Sequence, residues 1–128
     1  MPFVRSDGTW ANVRDVTLLP AQTLVVATVQ GTGVEVGGRR SVSMTIVTGT
    51  VSGGSPTLTL HVQTSFDNGV TDAYHDVVPI AQQAAAITTA ATNHYSVGGL
   101  DRWVRVSAVV TGTGQFAASS VVGELGAE

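Results

Sequence analysis

Three histidines, His61, His75 and His94, are the residues best suited to acid–base or metal chemistry in this chain of 128 residues. There is no cysteine, which removes disulfides, thiolate metal sites and a thiol nucleophile. His61 lies in an alternating run, T-L-T-L-H-V-Q-T, on the same side as Thr57, Thr59 and Gln63. His75 sits beside Asp76, with Asp72 close by, and His94 follows Asn93. No two histidines have the i, i+4 spacing of ligands on one helix face, nor the i, i+2 spacing of ligands on one strand face. Asp72, Tyr74 and Asp76 do share an i, i+2 parity, which a weak cation site would use. Solvated loop or strand residues account for them more simply, so no metal and no cofactor are expected.

Nucleophilic catalysis needs a hydroxyl, a histidine base and an orienting acid. Serines and threonines are plentiful, yet none stands in a G-x-S-x-G elbow. Asp67, Asp72 and Asp76 read as ordinary loop carboxylates rather than a paired acid and base. G-T-G-V-E-V-G-G at Gly31–Gly38 is glycine-rich, but it lacks the P-loop lysine and no helix follows it to hold phosphate. The expectation is that this is not an enzyme.

The elements that must carry these residues read as strands. Val and Thr dominate, and both suit a half-buried pleated surface. Ser41–Val47 places Val42, Met44 and Ile46 on one face. Thr57–Thr64 places Leu58, Leu60 and Val62 inward, and Trp103–Val110 does the same with Val104, Val106, Ala108 and Val110. In Gln115–Val122 the alternation puts Phe116, Ala118, Ser120 and Val122 on one side. This period of two marks antiparallel strands with one wet face. Leu18–Gln30 also reads as extended, with a break at Pro20, and Val34–Val36 as a short strand. Ile80–Thr92, I-A-Q-Q-A-A-A-I-T-T-A-A-T, fits either a short helical turn or an irregular edge strand.

Turn residues separate the runs: G-T-G at Gly31–Gly33, Gly37-Gly38, S-G-G-S-P at Ser52–Pro56, D-N-G at Asp67–Gly69 and Gly98-Gly99. The string V-T-G-T occurs twice, at Val47–Thr50 and Val110–Thr113. Aligning the copies sets inward Val42, Met44 and Ile46 against Arg105, Ser107 and Val109. A one-residue slip reverses every side chain in a sheet, so the strings mark strands running into turns and not a duplication. The expected fold is all-β: an antiparallel β-sandwich or jelly-roll-like barrel of about eight short strands. Residues 1–15 are read as an N-terminal arm or a first strand, and residues 16–128 as a single β-sandwich domain.

Composition points towards a surface that is covered. Charged residues are 12% of the chain, against about 25% in an ordinary soluble domain. All six basic residues are arginine and none is lysine. Lysine is depleted at protein interfaces and arginine enriched, although a GC-rich coding sequence produces the same bias. A net charge of −3 argues against direct nucleic-acid binding. The opening M-P-F-V-R-S-D-G-T-W has no basic segment followed by an apolar run, so no signal peptide is expected, and no stretch reaches the roughly 18–20 apolar residues of a membrane span. Synthesis in the cytoplasm is expected. Exposed aromatics and arginines anchor interfaces, which makes Phe3, Arg5, Trp10 and Arg14 candidates, with the doublet Arg39-Arg40 and the outward pair Trp103 and Arg105.

Two stretches carry a family resemblance: TLTLHVQTSFDNGVTDAYHDV (Thr57–Val77) and GLDRWVRVSAVVTGTGQFAASSVVGEL (Gly99–Leu125). An alternating strand leads into Gln63, Thr64, Ser65, Asp67 and Gly69, followed by Tyr74, where tryptophan is common, and then Asp76 and Val77. Arg102, Val104, Arg105 and Val106 form the later strand, with V-T-G-T after it. The pattern resembles small β-sandwich structural proteins of tailed bacteriophages, most closely capsid decoration (cement) proteins. The resemblance implies a virion protein on the capsid surface, with the major capsid protein and its own copies, as a homo-trimer, for partners. It brings no catalytic residue. A tail, neck or baseplate component is the alternative within the particle. A carbohydrate-binding or adhesive β-sandwich module is the alternative outside it, with Trp10, Trp103, Tyr74 and Tyr95 as its only aromatic candidates.

Overall fold

The computed structural model describes residues 14–37, 41–77 and 86–125. These residues hold ten strand segments and no helix. They are β1 (Arg14–Val25), β2 (Thr28–Gln30), β3 (Val34–Glu35), β4 (Val42–Thr48), β5 (Val51–Ser52), β6 (Thr57–Ser65), β7 (His75–Asp76), β8 (Ala91–Val97), β9 (Trp103–Thr111) and β10 (Gln115–Leu125). One sheet runs β1-β10-β4-β8, with β5 also on β10; the other runs β2-β9-β6-β7, with β3 also on β9. All pairings are antiparallel.

The order has a simple logic. The first strand pairs with the last, β2 and β3 with β9, β4 with β8, and β6 with β7. The chain is thus a nested hairpin rolled up on itself, and rolling adds the β10–β4 and β9–β6 contacts. Counting β2 with β3 and β4 with β5 as single kinked paths, the ten segments make eight strands. An eight-stranded double sheet wound this way is a jelly roll. Nearly every connection switches sheets, so the core collects residues from Val16 to Leu125.

That core is aliphatic. Val42, Met44, Ile46, Leu58, Leu60, Val62, Val104, Val106, Ala108 and Val110 are all buried, as their alternation requires. Phe116 is fully buried among them and is the largest such side chain.

The second half of β10 departs from the sequence reading. Phe116 points inward, but Ala118 and Val122 are exposed and Ser120 is half-buried, while Ser119, Val121, Gly123 and Leu125 are buried. Ala118 has φ of 48°, a left-handed conformation that places one extra residue in the strand. The inward parity flips there. The partner strand path kinks at the same level, between β4 and β5. Gly49 lies so close to the Ala117 carbonyl that a Cβ would overlap it, and Ala117 N–H bonds to Thr50 O at 2.9 Å.

The first V-T-G-T is therefore a kink within one strand path of the sheet, because β4 and β5 both pair with β10. The second crosses between sheets, from β9 to β10. There Gly114, at φ 114°, lies against the Ser52 carbonyl at the end of β5, an approach only glycine permits. β1 runs through Pro20 without interruption; the expected break takes the form of register shifts between Thr17 and Leu24. Proline is tolerated because β1 is an edge strand. Arg14 and Asp15, grouped above with the arm, open β1; residues 1–13 lie outside the described residues. Of Ile80–Thr92, the described part is extended: Ile87 bridges Leu58 and Ala91 begins β8.

Candidate functional site

The residues that carried the resemblance converge at one end of the β2-β9-β6-β7 sheet. Register brings them together: Gln63 lies opposite Arg105 on one side and Asp76 on the other. Arg105 Nε donates to Gln63 Oε1 at 2.8 Å, and Gln63 Nε2 donates to Asp76 Oδ1 at 3.1 Å. His61, two residues along β6 on the same face, places Nδ1 3.0 Å from Asp76 Oδ2. Since the carboxylate can only accept, the proton is on Nδ1. The Arg105 guanidinium also lies over the Tyr74 ring, 4.2 Å from its centroid, a cation–π contact. Tyr74 donates its hydroxyl to Asn68 Oδ1 at 2.7 Å. Burial raises the Tyr74 pKa, partly offset by the Arg105 charge, so the phenol stays protonated and keeps donating.

The loop between β6 and β7 is tied by its own side chains. Asp67 accepts from Thr71 N at 2.9 Å, Asp72 N at 3.0 Å and the Thr71 hydroxyl. These donors favour the ionised form, and the Thr71 hydroxyl contributes most to lowering the Asp67 pKa to about 2. Buried Ser65 donates to Asp72 O at 2.6 Å and accepts from Gly69 N at 2.9 Å. Buried Thr64 donates to Trp103 O at 2.8 Å and accepts from Asp101 N at 2.7 Å. The Q-T-S-x-D-x-G string thus works as a brace, each polar side chain closing a neighbouring backbone group.

The same brace gathers Asp72, His75 and Asp101, whose ligating atoms all lie within 4.8 Å of one another. The i, i+2 set drawn from the sequence is split by the fold. Asp76 serves His61 and Gln63, whereas Asp72 faces His75 and Asp101. No short-range spacing links Asp101 to this set, because it lies beyond a Gly-Gly turn, 26 positions after His75.

Acid–base geometry is incomplete among the described residues. The Asp76–His61 pair orients an imidazole as a catalytic acid–base pair would, and Ser107 lies opposite His61 on β9. Ser107 is nevertheless buried, and no hydroxyl bonds to the second nitrogen of His61. Among the described residues, the one hydroxyl on an imidazole is Thr45 Oγ1, 3.1 Å from His94 Nδ1 on the other sheet, and none of their carboxylates orients that ring.

Of the interface candidates, Phe3, Arg5, Trp10, Arg39 and Arg40 lie outside the described residues. Arg14 pairs with Leu125 at the start of β1. Trp103 is half-buried between Glu35 and Ser65. Arg105 stacks on Tyr74 and not on the indole. Arg102, two-thirds exposed, pairs with Glu35 at 2.7 Å.

The outer face of the other sheet was not visible in the sequence. Three rows cross it: Asp15, Glu124, Ser43 and Ser96; Thr17, Val122, Thr45 and His94; Ser120, Val47 and Thr92. Val122 is 43% and Val47 37% exposed. These rows hold no lysine or arginine, and most of their side chains are short. Thr17, Val122, Thr45 and Ser43 line a shallow open depression with Asp15 and Glu124. No protein-family model matches the chain, and no curated protein matches it in sequence.

Proposed function

We propose that this chain is a non-enzymatic structural protein of a tailed-phage particle, a capsid decoration protein that sits on the outer face of the major capsid shell as a homo-trimer. The observation that carries this reading is the outer face of β1-β10-β4-β8. Its serines, threonines and valines lose little rotamer entropy on being covered. Two exposed valines sit among them, and Asp15 and Glu124 supply acceptors at one margin. This face meets the shell.

The opposite sheet supports the same reading differently. Its polar residues bond to one another, bracing the β6–β7 loop, and among the described residues no acid, base and nucleophile are assembled there. Jelly rolls build viral capsid domains, and also lectins and cupins, so the fold is compatible with the role without specifying it. A particle surface suits a chain with few charges and no lysine.

Native mass measurement and immunogold labelling of particles test the proposal together. A trimer and label on the head are expected. Label confined to the tail would replace decoration with the tail or baseplate role. A monomer absent from particles would overturn the virion reading, and glycan-array binding by such a monomer would favour the adhesive module.

A further inference from the structure

We propose that Asp72, His75 and Asp101 form a binding site for a divalent transition-metal ion of the zinc class. The three side chains come from three places: the β6–β7 loop, β7 itself and the loop before β9. One pair of residues holds all three. His75 pairs with Thr64 across the sheet, Asp101 N–H donates to Thr64 Oγ1 at 2.7 Å, and Ser65 Oγ donates to Asp72 O at 2.6 Å. Every one of these contacts uses backbone groups of the three residues. Their positions are therefore fixed while their side chains stay available.

The side-chain inventory agrees. Asp72 uses Oδ2 to accept from Phe66 N at 2.7 Å, which leaves Oδ1. The Asp101 side chain is only 17% exposed, yet its one ion-pair partner among the described residues is His75 Nε2, at 3.7 Å. That is beyond hydrogen-bond reach, so among the described residues this largely buried carboxylate has no donor. Asp72 has one donor, Phe66 N, and the two carboxylates, drawn together, repel unless a cation lies between them. Asp76, the next acid along, is already engaged with His61 and Gln63 and does not compete.

The imidazole selects the ion. Calcium and magnesium favour all-oxygen shells, whereas nitrogen with carboxylate oxygen suits zinc and its neighbours. Ligands at about 2.1 Å from a tetrahedral zinc lie about 3.4 Å apart. Reaching that from within 4.8 Å takes small side-chain rotations, and His75 is 56% exposed and free to make one. Three protein ligands leave a fourth position for water. The bound ion would tie the β6–β7 loop to the approach of β9.

Titration calorimetry with zinc chloride on the metal-free full chain, paired with thermal unfolding, tests the site. The expected result is one zinc bound per chain and a melting temperature that rises with zinc concentration, as binding to the folded state requires. His75→Ala and Asp101→Asn should each remove both signals, with far-UV circular dichroism confirming the fold. His94→Ala, on the other sheet, should keep them. Absence of zinc binding by the wild-type chain would overturn the proposal. So would binding that survives Asp101→Asn or is lost in His94→Ala. An equal rise in melting temperature with calcium chloride would overturn the zinc-class assignment.

Discussion

Replacing Ala118 by glycine should stabilise the protein, the reverse of what glycine does in an ordinary strand. Ala118 is exposed and held at φ 48°. The left-handed conformation costs a residue with a Cβ about 1–2 kcal/mol. Glycine removes that cost but loses about 0.5–1 kcal/mol more chain entropy on folding. The balance is a gain of about 0.5–1 kcal/mol, or a melting temperature higher by about 2–4 °C for a domain of this size. A regular strand with Ala118 facing inward predicts otherwise. Glycine would then cost about 0.5–1 kcal/mol of backbone entropy and about 0.8 kcal/mol for the lost buried methyl. The two accounts differ by about 2 kcal/mol and in sign. Urea unfolding followed by tryptophan fluorescence and circular dichroism separates them. Two neighbours sharpen the test: Val122→Ser should fall within about 0.5 kcal/mol of wild type, and Val121→Ala should cost about 2 kcal/mol. Destabilisation by Ala118→Gly, with Val122→Ser as costly as Val121→Ala, would refute the parity flip.

Other substitutions probe the polar groups. Thr48 Oγ1 is buried with no hydrogen-bond partner among the described residues, so Thr48→Val should raise stability by about 1 kcal/mol in the same urea assay. Thr64→Val keeps the shape but removes the hydroxyl between Asp101 N and Trp103 O; it should cost about 1–3 kcal/mol and speed amide exchange at Asp101. The Asp67 pKa is lowered from 3.8 to about 2. Its contribution is therefore complete above pH 4 and lost as pH falls through 2. Acid titration of thermal stability should show that loss in the wild type and a smaller one in Asp67→Asn.

How much was legible depended on whether a local rule survived tertiary contact. Along most of their length β4, β6 and β9 place an aliphatic residue at every second position, so their inner faces could be read directly. β10 could not, because alanine gives no warning of a left-handed residue, and the flip at Ala118 lies level with a kink between β4 and β5 that only the pairing reveals. β8 carries Ala91, Asn93 and Tyr95 on its half-buried side, too mixed a set to signal a face. The two V-T-G-T strings show the limit of turn chemistry: the same residues make a kink in one place and a crossover in the other. The candidate sites were marked one residue at a time. Gln63, Tyr74, Asp76 and Arg105 all lay in the quoted motifs, but Gln63 and Arg105 are 42 positions apart, and only the β6–β9 register joins them. Asp72, His75 and Asp101 meet through Thr64 and Ser65, whose hydroxyls act on backbone groups and leave no spacing rule behind.

Co-sedimentation with expanded phage capsids that lack decoration tests the functional account most directly. The account predicts saturable binding of the wild-type chain, and loss of binding by Val122→Arg with the fold and oligomeric state unchanged. A chain that remains in the supernatant at every concentration, or a Val122→Arg variant that binds as wild type does, would contradict it.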